Sequence, residues 1–362
     1  MYRMALSLVL AVTGCSKSSS GDKAGTSEQS PAQAMAEASE DPPTVAEPFT
    51  MPAAAQAVAR ARYVADVEAI ARPRPPGSAH WQAVQDMCAE RLTSLGFEIE
   101  RHAYGTGTNI IGKLPGTLTS PDGAHGSGQV TDSWVILSAH YDSTDDTCPG
   151  ADDNASGVAG LLESARVLAA SSHRRTLIAA CWDQEEHGKH GSSAYAQRLA
   201  SAGQSIAMMY DYEMIGYTSD KPDSQKLPTG FDLIYPKIVE QLEKSGRRGD
   251  FIALIYDDNP GPRRAAAILQ RAASSLDLPA FAMAVPDTIK NSAMTRSLRR
   301  SDHEAFWARN MPAMMLTDTA NFRNPNYHCL GGTDSVDQLD HDFAVRVIKA
   351  TVASAAAMLA GQ

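Results

Sequence analysis

From residue 53 onward the apolar positions of this chain alternate between two rhythms. Helical spacing runs over 53–70 and again over 81–95, where Val84, Met87, Cys88 and Leu92 fall on one side and Gly96 ends the pattern. Between them, Arg72-Pro73-Arg74-Pro75-Pro76-Gly77-Ser78 must be irregular, because proline has no N–H to give a helix. Strands are predicted over 97–104 and 108–114. Unbroken apolar runs at 134–139 and 176–182, and the run at 205–210, suit strands buried on both faces. A helix is expected to open at Asp153 and reach Ala169, with Asn154 and Ser156 near its start. Another is expected over 192–200. Further strands are predicted at 231–235, 251–256, 280–285 and 312–317, with helices over 265–276 and 343–359. There is no internal repeat. Alternation of this kind predicts an α/β fold, a mostly parallel twisted sheet sandwiched between helices, in a single domain spanning 53–362.

The first fifty residues follow neither rhythm. Arg3 precedes a nine-residue apolar stretch at 4–12, too short to span a bilayer, and Val12-Thr13-Gly14-Cys15 follows. This resembles a bacterial lipobox. The resemblance implies that residues 1–14 are a signal peptide and that Cys15 is lipidated. It further implies that the protein is exported and membrane-attached, with Ser16 suggesting the outer membrane. Residues 15–52, rich in Ser, Ala, Pro, Glu and Gly, cannot bury enough apolar surface to offset the entropy of ordering them. They are expected to be a disordered tether, about 30–35 Å from end to end as a random coil.

Composition narrows the function. Lys and Arg total 32 against 42 Asp and Glu, and a chain of net charge −10 lacks the basic footprint of a nucleic-acid binder. Five cysteines without C-x-x-C spacing point to neither a disulfide scaffold nor a cysteine-based zinc site.

Chemistry gathers after the predicted strands, where open α/β sheets bind ligands. His140-Tyr141-Asp142 follows one strand, Asp183-Gln184-Glu185-Glu186-His187 a second and Asp211 a third. Tyr327-His328 follows a fourth across a loop, and Asp152-Asp153-Asn154 lies at a helix start. Acids crowded on one rim repel each other unless cations neutralise them. Imidazole with carboxylate suits zinc, and sometimes manganese or cobalt.

AHYDS (139–143), PGADDNASGVA (149–159), DQEEHGKHGS (183–192), YDYEMIGY (210–217), RRSDHEAFW (299–307) and NPNYH (324–328) resemble the co-catalytic zinc aminopeptidases. That family also contains glutamate carboxypeptidases and glutaminyl cyclases. The resemblance covers roughly 55–360 and implies a two-zinc exopeptidase acting on peptides, most simply at their N-termini. Residue by residue it implies His140 and Asp211 on one zinc, Glu186 and His328 on the other, and Asp153 bridging both. It makes Glu185 the general base and Asp142 the partner that fixes the His140 tautomer. Lys189 stands where the family has an apolar residue, beyond the ligands. Within the resemblance His187, His190, Asp302 and His303 are supporting or surface residues, and the oxyanion donor has no position. Cys148 and Cys329 flank ligand segments and are open between a disulfide and two thiols.

Two other readings keep the fold: acyl transfer at a single zinc, as in the cyclases, or a binding module with a dead site. Asp-Asp-Asn-Ala-Ser-Gly resembles the peptidases more than the cyclases, and Glu185 with five candidate ligands argues against a dead site. A serine triad lacks its G-x-S-x-G elbow, and H-E-x-x-H is absent.

Overall fold

The computed structural model describes residues 49–118 and 132–361. The expected signal peptide, Cys15 and nearly all of the expected tether lie outside the described residues.

Among the described residues, eight strands form one sheet: β1 (Glu98–Tyr104), β2 (Gly107–Leu114), β3 (Trp134–His140), β4 (Leu177–Trp182), β5 (Ile206–Tyr212), β6 (Ile252–Asp257), β7 (Ala280–Val285) and β8 (Ala313–Thr317). Their order is β1-β2-β4-β3-β5-β8-β6-β7. The four central strands β4, β3, β5 and β8 run parallel. Strands β1 and β2 are antiparallel at one edge, and β6 and β7 run together but antiparallel to β8 at the other. The sheet is therefore mixed, with a parallel centre.

The unbroken apolar runs are explained by burial on both faces. Val135, Leu137 and Ala139 of β3 enter one core layer while Ile136 enters the other, as the two-residue period of a strand requires. The first layer packs against α2 (Arg60–Ile70), α3 (Ala79–Ser94), α4 (Gly157–Ala169), α8 (Pro260–Ser274) and α10 (His341–Leu359), with the short α1 (Ala53–Gln56) beside them. The second packs against α5 (His190–Ser201), α6 (Phe231–Ile234), α7 (Pro236–Lys244) and α9 (His303–Trp307). Ser78 caps α3 by accepting from the Trp81 N–H at 3.1 Å, and Asp340 caps α10 from the N–H groups of Asp342 and Phe343.

Two expectations are corrected. The strand predicted at 231–235 is the helix α6, followed directly by α7. Phe231 and Ile234 are buried three residues apart while Leu233 is 61% exposed, which is helical spacing, and Pro236 opens the next helix. The helix expected to open at Asp153 opens at Gly157 instead. Residues Ala151–Ser156 make one wide turn in which Asp153 (φ −104°, ψ 89°) and Asn154 (φ −133°, ψ 41°) leave the helical region. Asn154 Oδ1 accepts from the N–H groups of Gly157 and Met214, both at 3.1 Å, so it holds the turn to the end of β5.

Candidate metal centre

His140 is the last residue of β3, and Glu185 and Glu186 lie in the turn after β4. These parallel strands end on one rim, where the wide turn at Ala151–Ser156 and the loop bearing His328 meet. Asp153 stands between the two histidines. Its Oδ1 is 3.2 Å from His140 Nε2 and its Oδ2 is 3.2 Å from His328 Nε2. Glu186 Oε2 lies 3.1 Å from His328 Nε2. His140, Asp153 and Glu186 offer ligand atoms within 4.8 Å of one another.

Asp211 is not part of this group. It lies within β5, registered against Ser138 and Met315, and its carboxylate is already engaged. Oδ1 accepts from Ser138 Oγ at 2.9 Å and Oδ2 from the His303 N–H at 2.9 Å. The acid that meets His140 is Glu213, two residues on and just past the strand end. Its Oε2 is 3.4 Å from His140 Nε2 and accepts from Ser301 Oγ at 2.7 Å. Residues 211 and 213 point to the same face of the strand, so only the position of the strand end separates them. That end was the missing signal.

Asp142 lies beside His140 and reaches two further groups. It is buried, with Oδ1 3.4 Å from His140 Nδ1. It also accepts from the N–H groups of Glu185 (3.1 Å) and Glu186 (3.3 Å), so one carboxylate faces a histidine and holds the backbone of both glutamates. Of the other residues weighed in the sequence, His187 and His190 are exposed at the rim, and Lys189 pairs with Glu304 at 2.8 Å. Asp302 and His303 are fully buried under the site. Cys148 and Cys329 form a disulfide.

The electrostatics describe a cage for positive charge. Burial opposes charge on both His140 and His328, yet their neighbours outweigh it. Glu213, Asp142 and Asp153 raise His140 well above the usual histidine range, and Asp153 and Glu186 raise His328 to about 10. Burial likewise opposes charge on Asp153, whose carboxyl is held below the usual range by His140 and His328. Burial and the charge of Asp153 push Glu186 up to about 7. Loss of water, then repulsion from Glu213, Asp302 and Glu186, push Glu185 well above the carboxylate range even against the pull of His140.

Five buried atoms of the two histidines, Asp153 and Glu186 have no hydrogen-bond partner among the described residues: His140 Nδ1 and Nε2, His328 Nε2, Asp153 Oδ1 and Glu186 Oε1. Orphaned buried groups of this kind cost free energy unless something pairs with them. Two histidines and two carboxylates around one shared acid are a donor set that fits two divalent cations.

Further groups escaped the sequence reading. Arg74, in the proline-rich segment, is fully buried, and its guanidinium reaches the carbonyls of Tyr141 (2.8 Å), Pro149 (2.6 Å) and Gly150 (2.9 Å). Tyr327 stacks on His328 with ring centroids 3.7 Å apart, and its hydroxyl accepts from Arg300 at 2.8 Å. Glu213 and Tyr327 also line a cavity whose walls include Phe231, Leu242, Phe251 and Met283.

Residues 109–253 match the model of a known protein family. That family is peptidase family M28. This match agrees with the resemblance carried by the motifs. The chain is 35% identical over 234 residues to the uncharacterized protein YfbL of Escherichia coli (strain K12), covering 60% of this chain and 65% of that one. It is 27% identical over 284 residues to a probable zinc metalloprotease of Pyrenophora tritici-repentis, covering 74% of this chain and 56% of that one. The chain thus spans between about half and two thirds of the length of these curated relatives. Among solved structures, the fold is similar to that of the LapA aminopeptidase of Legionella pneumophila. There the TM-score is 0.61 at 14% identity, over 87% of this chain and 78% of that one.

Proposed function

We propose that this protein is a zinc-dependent exopeptidase that removes amino acids from peptide N-termini. The observation that carries the reading is the placement of Asp153, with one carboxylate oxygen facing each histidine. In this reading these residues would hold two zinc ions, with His140 and Glu213 on one side of a shared Asp153 and His328 and Glu186 on the other. Manganese or cobalt suits the same donors. When bound, the ions supply Lewis acidity that brings a water toward neutral pKa and polarises the scissile carbonyl.

The protein's own residues do the rest. Glu185 takes the proton of the attacking water and returns it to the leaving amine. Burial and the neighbouring carboxylates raise its carboxyl, which suits a group that must both accept and release a proton. Asp142 holds Glu185 and His140 in mutual register. Tyr327 spends its acceptor capacity on Arg300, which leaves its hydroxyl proton able to donate to the oxygen of a tetrahedral intermediate. An acidic rim suits a substrate's α-ammonium better than its α-carboxylate, which favours an amino end over a carboxyl end. The cavity beside Glu213 and Tyr327 has mostly apolar walls, so the favoured first residue is bulky and apolar. Lipidation at Cys15 would hold the enzyme at a membrane.

The test is zinc content per chain together with turnover of free and N-blocked peptides. Two zinc ions, with hydrolysis of leucyl-p-nitroanilide and none of its N-acetyl form, are expected. One zinc with cyclisation of N-terminal glutamine would replace this reading by acyl transfer. Zinc without turnover of any peptide would replace it by a binding module.

A further inference from the structure

The turn that carries Asp153 is gripped from two sides. Asp334, 1% exposed, accepts from its N–H groups: Asp152 N at 3.0 and 3.1 Å from the two oxygens, and Asp153 N at 3.0 Å from Oδ2. Arg74, fully buried, donates to its carbonyls: Pro149 at 2.6 Å, Gly150 at 2.9 Å and Asp153 at 3.3 Å. The anion thus faces the donors of the turn and the cation faces its acceptors.

The grip also reaches the His328 loop. The main chain of Asp334 accepts from the Ala151 N–H at 3.3 Å and donates to Cys329 Sγ at 3.3 Å. Cys329 in turn is bonded to Cys148, just before the turn. Cys329 directly follows His328, so two links join the segment bearing Asp153 to the segment bearing His328. Both segments need such support. His328 sits in the left-handed region (φ 53°), which a histidine adopts only when its surroundings hold it there. Gly150 is also left-handed (φ 57°), and a side chain on it would meet the Asp153 carbonyl at 2.2 Å.

We propose that Arg74 and Asp334 are positioning residues that set the separation of Asp153 from His328, with the Cys148–Cys329 disulfide as a third tie. They touch neither substrate nor the attacking water. They act by fixing the backbone from which the shared acid projects, so the pair of sites depends on them as a unit. Loosening the turn should release the zinc of the His328–Glu186 set first, because both of its anchoring segments move. The zinc part of this inference rests on the two-zinc reading; the backbone part does not.

The experiment compares wild type with Asp334→Asn, Arg74→Lys and the double variant Cys148→Ser/Cys329→Ser. The amide of Asp334→Asn turns an N–H toward the turn where an oxygen stood. Lysine at 74 keeps the charge but loses the planar fork that reaches three carbonyls. Hydrogen exchange of the turn at Asp152 and Asp153 in the metal-free proteins should quicken by about tenfold in each variant, while the β3 and β5 amides keep their protection. With zinc, chelator titration should remove one ion per chain at about 10–100-fold lower chelator concentration than in wild type, the second ion leaving later. The visible spectrum of the cobalt-loaded protein should change in the same variants, which a general loss of stability would not produce. Unchanged exchange at the turn, or wild-type zinc retention and cobalt spectra in all three, overturns the proposal. If wild type takes up no zinc, the two-zinc reading fails and the exchange measurement alone decides. If Asp334→Asn or Arg74→Lys does not fold, the double cysteine variant, which leaves buried charge untouched, carries the test.

Discussion

Ser301 Oγ donates a hydrogen bond to Glu213 Oε2 at 2.7 Å, and the same oxygen lies 3.4 Å from His140 Nε2. The hydroxyl therefore holds the carboxylate against the histidine with which it would share a zinc. Asp211 is engaged with Ser138 and the His303 backbone instead, so the two acids should respond differently to loss of charge. Glu213→Gln is expected to bind one zinc per chain in place of two and to lose at least about 100-fold in kcat. Asp211→Asn is expected to keep both ions and to lose stability, by about 1–3 kcal/mol for disturbed buried hydrogen bonds. Metal analysis beside thermal unfolding separates them, and loss of zinc from Asp211→Asn alone would reverse the assignment.

Glu185 and Glu186 are neighbours in sequence with separate surroundings. Glu186 approaches His328 at 3.1 Å, while Glu185 has its N–H bound to Asp142 and no histidine partner within ion-pair distance among the described residues. Glu185→Gln should retain two zinc ions and lose about 10²–10⁴-fold in kcat, with little change in KM. Glu186→Gln should lose zinc. A Glu185→Gln enzyme with near-normal turnover would remove the general-base role.

What could be read in advance follows from burial. Strands β3, β4 and β5 are largely apolar because both faces are covered, so their runs are unmistakable, and the candidate site lies at and just after their ends. His140, Asp153, Glu186 and His328 were legible through that rule together with the motif resemblance. Asp211 against Glu213 was not, since both share one face of β5 and the choice turns on where pairing stops. Phe231-Asp232-Leu233-Ile234 mimics strand alternation over a span too short to reveal helical period. Arg74 and Asp334 belong to no local pattern at all: each acts on a turn at least 75 residues away in one case and over 180 in the other. The cysteine pairing, 181 residues apart, is of the same kind.

Metal removal should leave a protein whose stability falls as pH rises. In the metal-free protein Glu186 is raised to about 7 and His328 to about 10. Both bind protons more tightly folded than unfolded, where the ordinary values are about 4.3 and 6.5. The native state thus holds more protons, and stability falls as pH rises: through about 4.3 to 7 for Glu186, and about 6.5 to 10 for His328. Zinc competes with those protons, so its binding strengthens as pH rises. At a hundredfold excess over Kd it adds about 2.7 kcal/mol. Thermal melts from pH 5.5 to 9 should show the chelated protein losing Tm and the gap to the zinc-loaded protein widening. A gap that narrows with pH would mean that protons and metal do not share these groups.

The cavity that opens beside Glu213 sets the last expectation. Phe231, Leu242, Phe251, Met283, Leu298 and Met315 line it, and each is at most 6% exposed. A side chain seated there would bring its own backbone to Glu213 and Tyr327, at the reacting end of the site. Buried apolar contact contributes roughly 0.8 kcal/mol per methylene. Leucyl substrates should therefore exceed alanyl ones by about 10–200-fold in kcat/KM, the range one to three kcal/mol of differential pocket binding allows. Met283→Trp fills the cavity from its wall. It should collapse that ratio toward unity by lowering turnover of the leucyl substrate while leaving the alanyl one and the zinc content nearly unchanged. Steady-state kinetics on the two p-nitroanilides decides it: a ratio preserved in Met283→Trp would place the first side chain elsewhere.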